Sequence, residues 1–302
     1  MSTPLVSVII PVHNAQNTLA KTIDSVLTQT VTDLELIVVN DGSTDETASV
    51  IQSYYDPRII YIAQERLERC VARNMGASIA RGSYLAFLDA DDWWKPEKLE
   101  KQIPVLINNP NLGLVYCDVY YAEDPSQKIL FRYGSHYKMY RGKVWEPLFF
   151  RYNFIQSPTP IIPRHVFQQV GGFDPDLPPL EDWDLWLRIA WYNSIDFIDE
   201  PLAYYRWHKN ATDLRQPNEI LFRCQLKLYD RFVKTVPATT PWLQQRLAWK
   251  RAELYYTYGM ALLRKQRWPE ARAHFLEAQR LSPVYPLTYA RLVQLYWRGM
   301  NG

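Results

Sequence analysis

Four short apolar runs in the first 120 residues alternate with stretches whose apolar side chains recur at helical spacing. The runs have the length and β-branched content of buried strands and lie at residues 5–11, 34–39, 58–63 and 83–88. The helical patterns include residues 17–29 and 70–80. Alternating strands and helices at this spacing predict a largely parallel sheet with helices on both faces.

Capping signals mark two further helices. Ser43 and Glu46 have the spacing of a capping box for a helix that follows the second strand. Pro96 is expected to open the helix after the fourth strand, because proline fits the first helical position.

Polar side chains cluster where these strands end. His13 and Asn14 follow the first strand, Asp41 comes after the second, and the sequence DADD at residues 89–92 follows the fourth. In open parallel sheets, ligands bind beyond the carboxyl ends of the strands, so this placement is the first indication of a site.

The rest of the chain changes character twice. Residues from about 120 to 215 are irregular and rich in Pro, Tyr and Trp, with a double-glycine turn at residues 171–172. After about residue 216 the pattern is wholly helical. It predicts a helical pair at residues 243–263 and 269–281, with residues 266–268 in the turn, and a third helix after Pro286.

Composition excludes several classes of protein. Apolar residues make up 47% of the 302 residues, which excludes a mostly disordered chain. The formal net charge of +2, from 34 basic and 32 acidic residues, gives no electrostatic footprint for nucleic acid. Cys70, Cys117 and Cys224 are irregularly spaced and predict neither a disulfide framework nor a zinc site, which favours a reducing compartment.

No segment predicts export or insertion into a membrane. The apolar start ends at Pro11 without a preceding basic region, which indicates a buried strand rather than a signal peptide. No window approaches about 18 consecutive apolar residues, so no membrane-spanning helix is predicted. We therefore expect a soluble, cytoplasmic protein, and peripheral attachment to the inner face of the cell membrane stays open.

The densest chemical signal is the acidic sequence of Asp89, Asp91 and Asp92 directly after an apolar strand. Carboxylates packed this closely repel one another, and a divalent cation is the usual reason for a protein to hold them together. Mg²⁺ and Mn²⁺ prefer oxygen ligands together with substrate phosphates. The alternative is a solvated acidic turn at the start of the next helix, where negative charge is also favoured.

Longer stretches extend these local signals. VSVIIPVHNAQNTLAKTIDSVLTQT, ELIVVNDGSTDET and ARNMGASIARGSYLAFLDADDWW follow one another, and then come GGFD at residues 171–174, EDWDLWLR at residues 181–188 and YRWH at residues 205–208. Taken in this order, the motifs resemble glycosyltransferase family 2, which has the GT-A fold. The resemblance covers about residues 5–215.

The resemblance implies a donor site in the first half of the chain. Asp41 matches the aspartate that reads the nucleotide base, typically uracil, with Pro11 and His13 lining the same pocket. Arg73 of the ARN motif is expected to lie against the nucleotide or its diphosphate.

The metal and the catalytic base follow from the same resemblance. Asp89 and Asp91 match the DxD pair that holds Mn²⁺ or Mg²⁺, with Asp91 as the expected direct ligand. Asp182 matches the general base, and Glu181 is expected to orient the acceptor. His208 falls where many members place a residue near the diphosphate or the metal. One base without a nucleophile implies inversion at the anomeric carbon.

Structural roles remain open for each of these residues. Asp41 could cap the helix after Ser43, and Asp182 could be a favourable charge at a helix N-terminus. Arg73 could be a salt-bridge partner, and His208 could be structural. Family members often carry glycine just before the ARN motif, where this chain has the bulky, charged stretch at residues 65–69, so the donor contacts there are in doubt.

The helical tail carries a second, weaker pattern. Six residues have the spacing of one tetratricopeptide-like repeat: Tyr255, Gly259, Ala271, Phe275, Ala278 and Pro283. One repeat does not bury its own face, so the pair is expected to pack on the catalytic domain, self-associate or dock a protein partner. An ordinary helical hairpin is the alternative.

Together these observations predict an α/β GT-A domain at residues 1–215 and an all-α extension at residues 216–302. Within the first, residues 1–120 are expected to bind the nucleotide and residues 121–215 the acceptor. The expected reaction moves a hexosyl or N-acetylhexosaminyl group from a nucleotide sugar, a UDP-sugar above all, to a saccharide, lipid-linked or protein acceptor.

The same residues weigh against two rival functions. A catalytically silent relative acting as a scaffold through its tail has no chemical reason to retain the acidic sets. A nucleotidyltransferase would carry a glycine-rich, basic phosphate loop near the start, and residues 11–20 contain neither Gly nor Arg.

Overall fold

The computed structural model describes residues 3–123, 126, 128–207, 218–235 and 240–283. The chain forms two compact units. The first consists of Met1–Asp176 and Glu181–Ala211, and the second of Leu177–Leu180 and Thr212–Gly302. The boundary predicted at residue 215 lies outside the described residues.

The first unit is built on a sheet whose described strands number nine. They are β1 (Val6–Val12), β2 (Leu34–Asp41), β3 (Ile59–Gln64), β4 (Tyr84–Phe87), β5 (Trp93–Trp94), β6 (Leu112–Glu123), β7 (Ile129–Arg132), β8 (Ile161–Pro163) and β9 (Ser194–Trp207). Their order across the sheet is β3-β2-β1-β4-β8-β6-β9-β5, with β7 paired to β6. Strands β1 and β2 are buried along their whole length, as their unbroken apolar runs predict.

The expectation of a mostly parallel sheet is only partly correct, because the sheet is mixed. Strands β3, β2, β1 and β4 are parallel, and so are β6 and β9. The other pairings are antiparallel: β8 with β4 and β6, β7 with β6, and β5 with β9. The clear apolar runs all belong to the parallel half, whereas the antiparallel strands lie at or beyond the acidic sequence, where the pattern is irregular.

Seven α-helices accompany this sheet among the described residues. They are α1 (Leu19–Leu27), α2 (Thr47–Gln52), α3 (Arg69–Ile79), α4 (Lys98–Asn108), α5 (Trp145–Phe150), α6 (Arg164–Val170) and α7 (Glu181–Tyr192). Pro96 does not open α4, which begins two residues later at Lys98. Instead, the Pro96 carbonyl accepts a hydrogen bond from the Thr30 amide, which fixes the turn before the helix.

The predicted capping box at Ser43 and Glu46 is wrong. The Ser43 hydroxyl accepts from the Asn14 amide, 3.0 Å away on the neighbouring loop. At the start of α2 the carboxylate of Asp45 is the acceptor instead, because it accepts from the Thr47 amide at 3.0 Å. The same carboxylate accepts from the Gln16 amide, so it joins the loops after β1 and β2.

Three of the sequence motifs are tied together by two polar side chains. Asn74, in the ARN motif, accepts from the Phe173 amide at 2.9 Å and donates to the Phe173 carbonyl at 2.8 Å. Arg188, at the end of EDWDLWLR, pairs with Asp184 and donates to the Gly172 carbonyl. The GGFD turn is therefore held between α3 and α7, which places the start of α7 beside α3.

The second unit contains α8 (Glu219–Val233), α9 (Pro241–Arg264) and α10 (Trp268–Leu281) among its described residues. Trp268 opens α10 rather than lying in the turn. Gly259 permits the close crossing of α9 and α10, because a Cβ there would lie 2.8 Å from the Phe275 ring. The hairpin is thus observed, the tetratricopeptide-like repeat stays a prediction, and the helix expected after Pro286 lies outside the described residues.

The short segment Leu177–Leu180 packs with this helical unit although it precedes α7 in the chain. Its two leucines are fully buried, and the Cys224 thiol of α8 donates to the Pro178 carbonyl at 3.1 Å. Cys70, Cys117 and Cys224 are all buried and form no disulfide. None of the described helices is long and apolar enough to cross a membrane.

Candidate active site

Asp41 lies at the end of β2 and is buried. Its Oδ1 accepts from the Gln64 side chain at 2.7 Å and from the Leu67 amide at 2.8 Å. Gln64 is the last residue of β3 and Leu67 lies in the loop after it, so the carboxylate is held against the loop that departs from the family pattern. Both bonds are tertiary, and neither caps a helix.

His13 and Pro11 lie beside Asp41 on the neighbouring strand and the loop after it. Pro11 is buried in β1 opposite Val39 of β2. The His13 Nδ1–H donates to the Asp41 carbonyl at 2.9 Å, and its Nε2 faces the Arg66 guanidinium. Because a guanidinium can only donate, this arrangement requires a neutral imidazole with its proton on Nδ1.

The charged loop before α3 packs directly onto this pocket. Gly42 has a φ of +68°, and a Cβ at this position would lie 2.8 Å from the Arg66 amide nitrogen. Neither the backbone conformation nor the space admits a side chain, so glycine is required here. The bulk of the loop is thus accommodated by the glycine that follows Asp41.

Arg73 connects two groups of acids in the site. It is 2% exposed on α3, and its Nη2 lies 2.5 Å from Oδ1 of Asp89, just past β4. Its Nη1 lies 3.2 Å from Oε1 of Glu181, the first residue of α7. One buried guanidinium therefore spans the acids that follow β4 and those that begin α7.

The electrostatics of this bridge fix the charge states of its members. Burial alone would raise the pKa of Asp89, but the charges of Arg73 and Arg69, with hydrogen bonds from Arg73 and Ser157, hold it below its ordinary value. Burial would lower the pKa of Arg73, yet the charges of Asp89 and Glu181 raise it. Asp89 and Arg73 are thus ionised together.

Glu181, the first residue of α7, is buried against two arginines. Its carboxylate is 3% exposed and lies 2.5 Å from the Arg69 Nε as well as against Arg73. Both neighbours are arginines of α3, and the acceptor-orienting role of Glu181 stays a prediction. The geometry makes Glu181 the anchor of these two guanidinium groups.

Asp182 follows Glu181 but has a different environment. Its carboxylate is partly exposed, accepts from the Asn153 side chain at 3.3 Å and from the Trp183 amide at 2.6 Å. Burial and the charge of Glu181 raise its pKa to about 7. A carboxylate with this pKa can accept a proton near neutral pH, which is what a general base requires.

Hydrogen bonds of Asp92 and of the backbone of the acidic turn hold this part of the site in place. Asp92 is buried, and its Oδ1 accepts from the Arg206 amide at 2.8 Å, which ties the end of β9 to the turn. Burial, then the charges of Asp91 and Asp89, raise its pKa well above the ordinary value. The turn is fastened to α1, because the Thr18 and Thr22 hydroxyls donate to the carbonyls of Ala90 and Asp92.

These residues fit a divalent cation that also binds substrate phosphates. Among the described residues no three His, Cys, Asp or Glu side chains converge as a purely protein-made metal site would need. Mg²⁺ and Mn²⁺ in phosphate-bound sites take one or two carboxylates, which Asp91 and Asp89 can supply. The buried Oδ2 of Asp92 has no hydrogen-bond partner in the described part of the chain, and such an orphaned polar atom suits an ion or the water bound to it. His208 lies outside the described residues.

Sequence reasoning missed several residues that complete the site. Ser157 hydrogen-bonds to Asp89, Asn153 to Asp182, and Arg69 to Glu181. Tyr205 lies among the acids, since burial and the charges of Asp92, Asp89, Asp91 and Asp182, in that order, raise its pKa. Arg69 lies shortly before the ARN motif and Tyr205 is the first residue of YRWH, whereas nothing local distinguishes Asn153 or Ser157.

Comparisons with known proteins agree with this fold. Residues 7–169 match the family model described as Glycosyl transferase family 2. An uncharacterized glycosyltransferase of Rickettsia prowazekii is 36% identical over 220 residues, which cover 72% of this chain and 68% of that protein. One of Methanocaldococcus jannaschii is 34% identical over 212 residues, which cover 68% of this chain and 72% of that protein. The chain therefore belongs to glycosyl transferase family 2 and is a glycosyltransferase.

Solved structures support the GT-A-like fold. TarS of S. aureus, residues 1–349, in complex with UDP-GlcNAc, is 17% identical, with a TM-score of 0.70 and coverage of 96% of this chain and 89% of that chain. The mannosyltransferase PcManGT of Pyrobaculum calidifontis, in complex with GDP-Man and Mn²⁺, is 19% identical, with a TM-score of 0.61 and coverage of 99% and 81%.

Proposed function

We propose that this protein transfers a sugar from a nucleoside diphosphate donor, UDP in particular, to an acceptor hydroxyl with inversion at the anomeric carbon. The observation that carries the proposal is the Arg73 bridge between Asp89 and Glu181. It brings the acids that suit a donor diphosphate next to Asp182, the carboxylate that suits a base. Related folds that bind UDP-GlcNAc and GDP-Man support a nucleotide-sugar donor.

The proposed reaction is a single displacement. Asp182 accepts the proton of the acceptor hydroxyl as its oxygen attacks the anomeric carbon, and the bond to the nucleoside diphosphate breaks on the opposite face. Asp182 is the base because its raised pKa of about 7 matches the operating pH. Arg69 and Arg73, held by Glu181, supply fixed positive charge against the diphosphate as it leaves.

Asp91 and Asp89 would hold Mn²⁺ or Mg²⁺ with the donor. When bound, such a cation offsets the charge that develops on the leaving diphosphate. The Arg73 contact keeps Asp89 ionised at every pH at which the enzyme is expected to work.

The surroundings of the base favour a saccharide acceptor. Tyr121 stacks on Phe131 with ring centroids 4.6 Å apart and contacts Tyr205 at 4.9 Å, so the rings lead away from the acids. Tyr133 and Tyr137 extend the same group, with centroids 4.6 Å apart, and Tyr137 is 40% exposed. Sugar rings present apolar faces that pack on aromatic side chains, so this group of rings suits a saccharide acceptor.

Calorimetric titration of the full chain with UDP, GDP, CDP and dTDP, each with Mn²⁺ and with EDTA, tests this proposal. We expect binding of UDP that is lost with EDTA and weakened in Asp91→Asn. Asp24→Asn, at an exposed position on α1, serves as the matched control and should bind as the wild type does. If a folded sample bound none of the four nucleotides, the transferase proposal would fail and a scaffold role would replace it.

A further inference from the structure

One short segment touches both acid groups of the site. We call residues 153–157, between α5 and β8, the bridging segment. At its start the Asn153 side chain donates to Asp182 at 3.3 Å. At its end the Ser157 side chain interacts with Asp89 and lowers the pKa of that carboxyl. The two contacts reach the proposed base and the proposed donor-side acid across only five residues of chain.

The bridging segment is fixed from behind by several hydrogen bonds. Trp94 Nε1 donates to the Pro158 carbonyl at 2.8 Å, and Gln102 Nε2 donates to the Thr159 carbonyl at 3.0 Å. Thr159 is fully buried and donates through its hydroxyl to the Gln156 carbonyl at 2.7 Å. The Gln156 side chain in turn accepts from the Tyr121 hydroxyl at 2.8 Å. Such contacts leave the segment little freedom.

The start of the segment is locked by its own turn. Asn153 Oδ1 accepts from the Ile155 amide at 3.2 Å, which directs its amide nitrogen toward Asp182. Tyr133 donates to the Asn153 carbonyl at 3.4 Å. The orientation of the donor group is therefore set by neighbouring backbone and does not depend on a bound substrate.

We propose that the bridging segment is a positioning element that holds Asp182 and Asp89 in register, with Asn153 setting the base and Ser157 setting the donor-side acid. The proposal rests on the proposed function, since it assigns the segment to that reaction. Asn153 and Ser157 act through the carboxylates that they hold and not through direct contact with the reacting atoms.

The two contacts have different measurable consequences. A side-chain amide that donates to a carboxylate favours the ionised form, so loss of the Asn153 donor should raise the pKa of Asp182 by about one unit. Loss of the Ser157 hydroxyl should instead leave that pKa unchanged and weaken nucleotide binding about tenfold through a misplaced Asp89. One segment thus controls the base and the donor separately.

Carbon-13 NMR of the full chain with labelled aspartate carboxyls, assigned with Asp182→Asn, measures the titration of Asp182 without any substrate. We expect its midpoint to rise in Asn153→Ala and to rise further in Asn153→Asp. The second variant keeps the bond from the Ile155 amide but adds a negative charge. Asn109→Ala, at an exposed site just after α4, is the control and should match the wild type. An unchanged midpoint in both Asn153 variants overturns the assignment, whatever the nucleotide experiments show.

Calorimetry with UDP and Mn²⁺ measures the other end of the segment. We expect weaker binding in Ser157→Ala, recovery in Ser157→Thr, and wild-type affinity in Asn153→Ala. Trp94→Phe keeps an aromatic ring but removes the Nε1–H that donates to the Pro158 carbonyl. The variant should therefore alter both the Asp182 midpoint and the UDP affinity. A change in only one of the two would show that the segment does not move as one unit and would overturn the bridging role. Wild-type protein that fails to bind UDP refutes the proposed function instead.

Discussion

Asp182 combines a raised pKa with a position beside two fixed arginines, and this sets the pH response of the enzyme. Because burial and Glu181 raise the pKa to about 7, the carboxylate is protonated below neutrality and ionised above it. As the base must be ionised, turnover should fall about tenfold per pH unit below pH 7 and level off above it. UDP release from UDP-GlcNAc, with water as acceptor, measures this profile.

Replacing the base tests the same residue without a change of pH. Asp182→Asn should lower donor turnover by about 10²–10⁴ while leaving the affinity for UDP nearly unchanged. Asp184→Asn is not a suitable control because Asp184 holds Arg188, whereas the exposed Asp33→Asn is. Turnover that survives in Asp182→Asn would show that another group takes the proton.

Lys98 offers a prediction about stability instead of activity. It is fully buried, its ammonium has no hydrogen-bond partner among the described residues, and it lies 4.1 Å from the Trp94 ring centre. Burial lowers its pKa from 10.5 to about 8. The unfolded chain therefore binds more protons between these two values, so the free energy of unfolding should rise with pH across this window.

Lys98→Met should remove that pH dependence and raise the free energy of unfolding at pH 7 by on the order of 2 kcal/mol. Urea denaturation at pH 7, 8 and 9.5 measures the difference from wild type, which should shrink as the pH rises. Lys101→Met, on the same helix but partly exposed, is the control. A destabilised Lys98→Met variant would mean that the ammonium has a stabilising partner.

The acids could be predicted from the sequence, but the residues that hold them could not. Asp41, Asp89 and Asp91 follow apolar runs, so their place at one edge of the sheet follows from the strand pattern alone. Asn153 and Ser157 belong to an irregular stretch whose path depends on Trp94 and Gln102 behind it. No local pattern carries that information.

At the scale of elements, the crossing of α9 and α10 depends on a missing side chain. Gly259 and Phe275 are in contact across the hairpin, and Ala252 and Ala278 are fully buried beside it. Gly259→Leu should separate the helices and lower the free energy of unfolding of the helical unit by about 1–3 kcal/mol. Gly142→Ala would be strained by its φ of +85°, so Met260→Leu, on the same helix, is the better control.

Thermal unfolding followed by circular dichroism measures this change. We expect the helical unit to unfold at a lower temperature in Gly259→Leu than in the wild type. In Met260→Leu it should unfold at the wild-type temperature. A Gly259→Leu variant as stable as the wild type would show that the hairpin can open without cost, and the tetratricopeptide-like packing would then be the wrong description.

The elements differ in how far the sequence predicts them. Strands β1 and β2 have unbroken apolar runs because both faces are covered, and the bounds of all four strands of the parallel half lie within a few residues of the prediction. Strands β6 and β9 pair over more than ten residues with shifts of register near Cys117 and Asp118, so their patterns are broken. Hydrophobic periodicity therefore does not predict the strands in the mixed half of the sheet.

At the scale of the whole molecule, the second unit contains more than the C-terminal helices. Leu177–Leu180 packs with it, and the next residue is Glu181, the anchor of Arg69 and Arg73. A chain shortened after residue 216 would leave Leu177 and Leu180 without the helices with which they pack. We expect it to lose most donor turnover and to unfold at a lower temperature than the full chain.

Turnover of UDP-GlcNAc and differential scanning calorimetry of the shortened chain measure both effects. A variant shortened after residue 283 retains all three described helices and serves as the control. Full turnover in the shorter chain would show that the helical unit does not support the start of α7.

Leu177–Leu180 also has a consequence for recombination within the family. A helical tail exchanged between two relatives at a single junction after the catalytic domain would meet a foreign partner at this segment, since the four residues stay behind with the old catalytic sequence. A working chimera therefore needs two exchanged pieces, the tail and the residues before Glu181. Natural variation at these two places should accordingly have been inherited together.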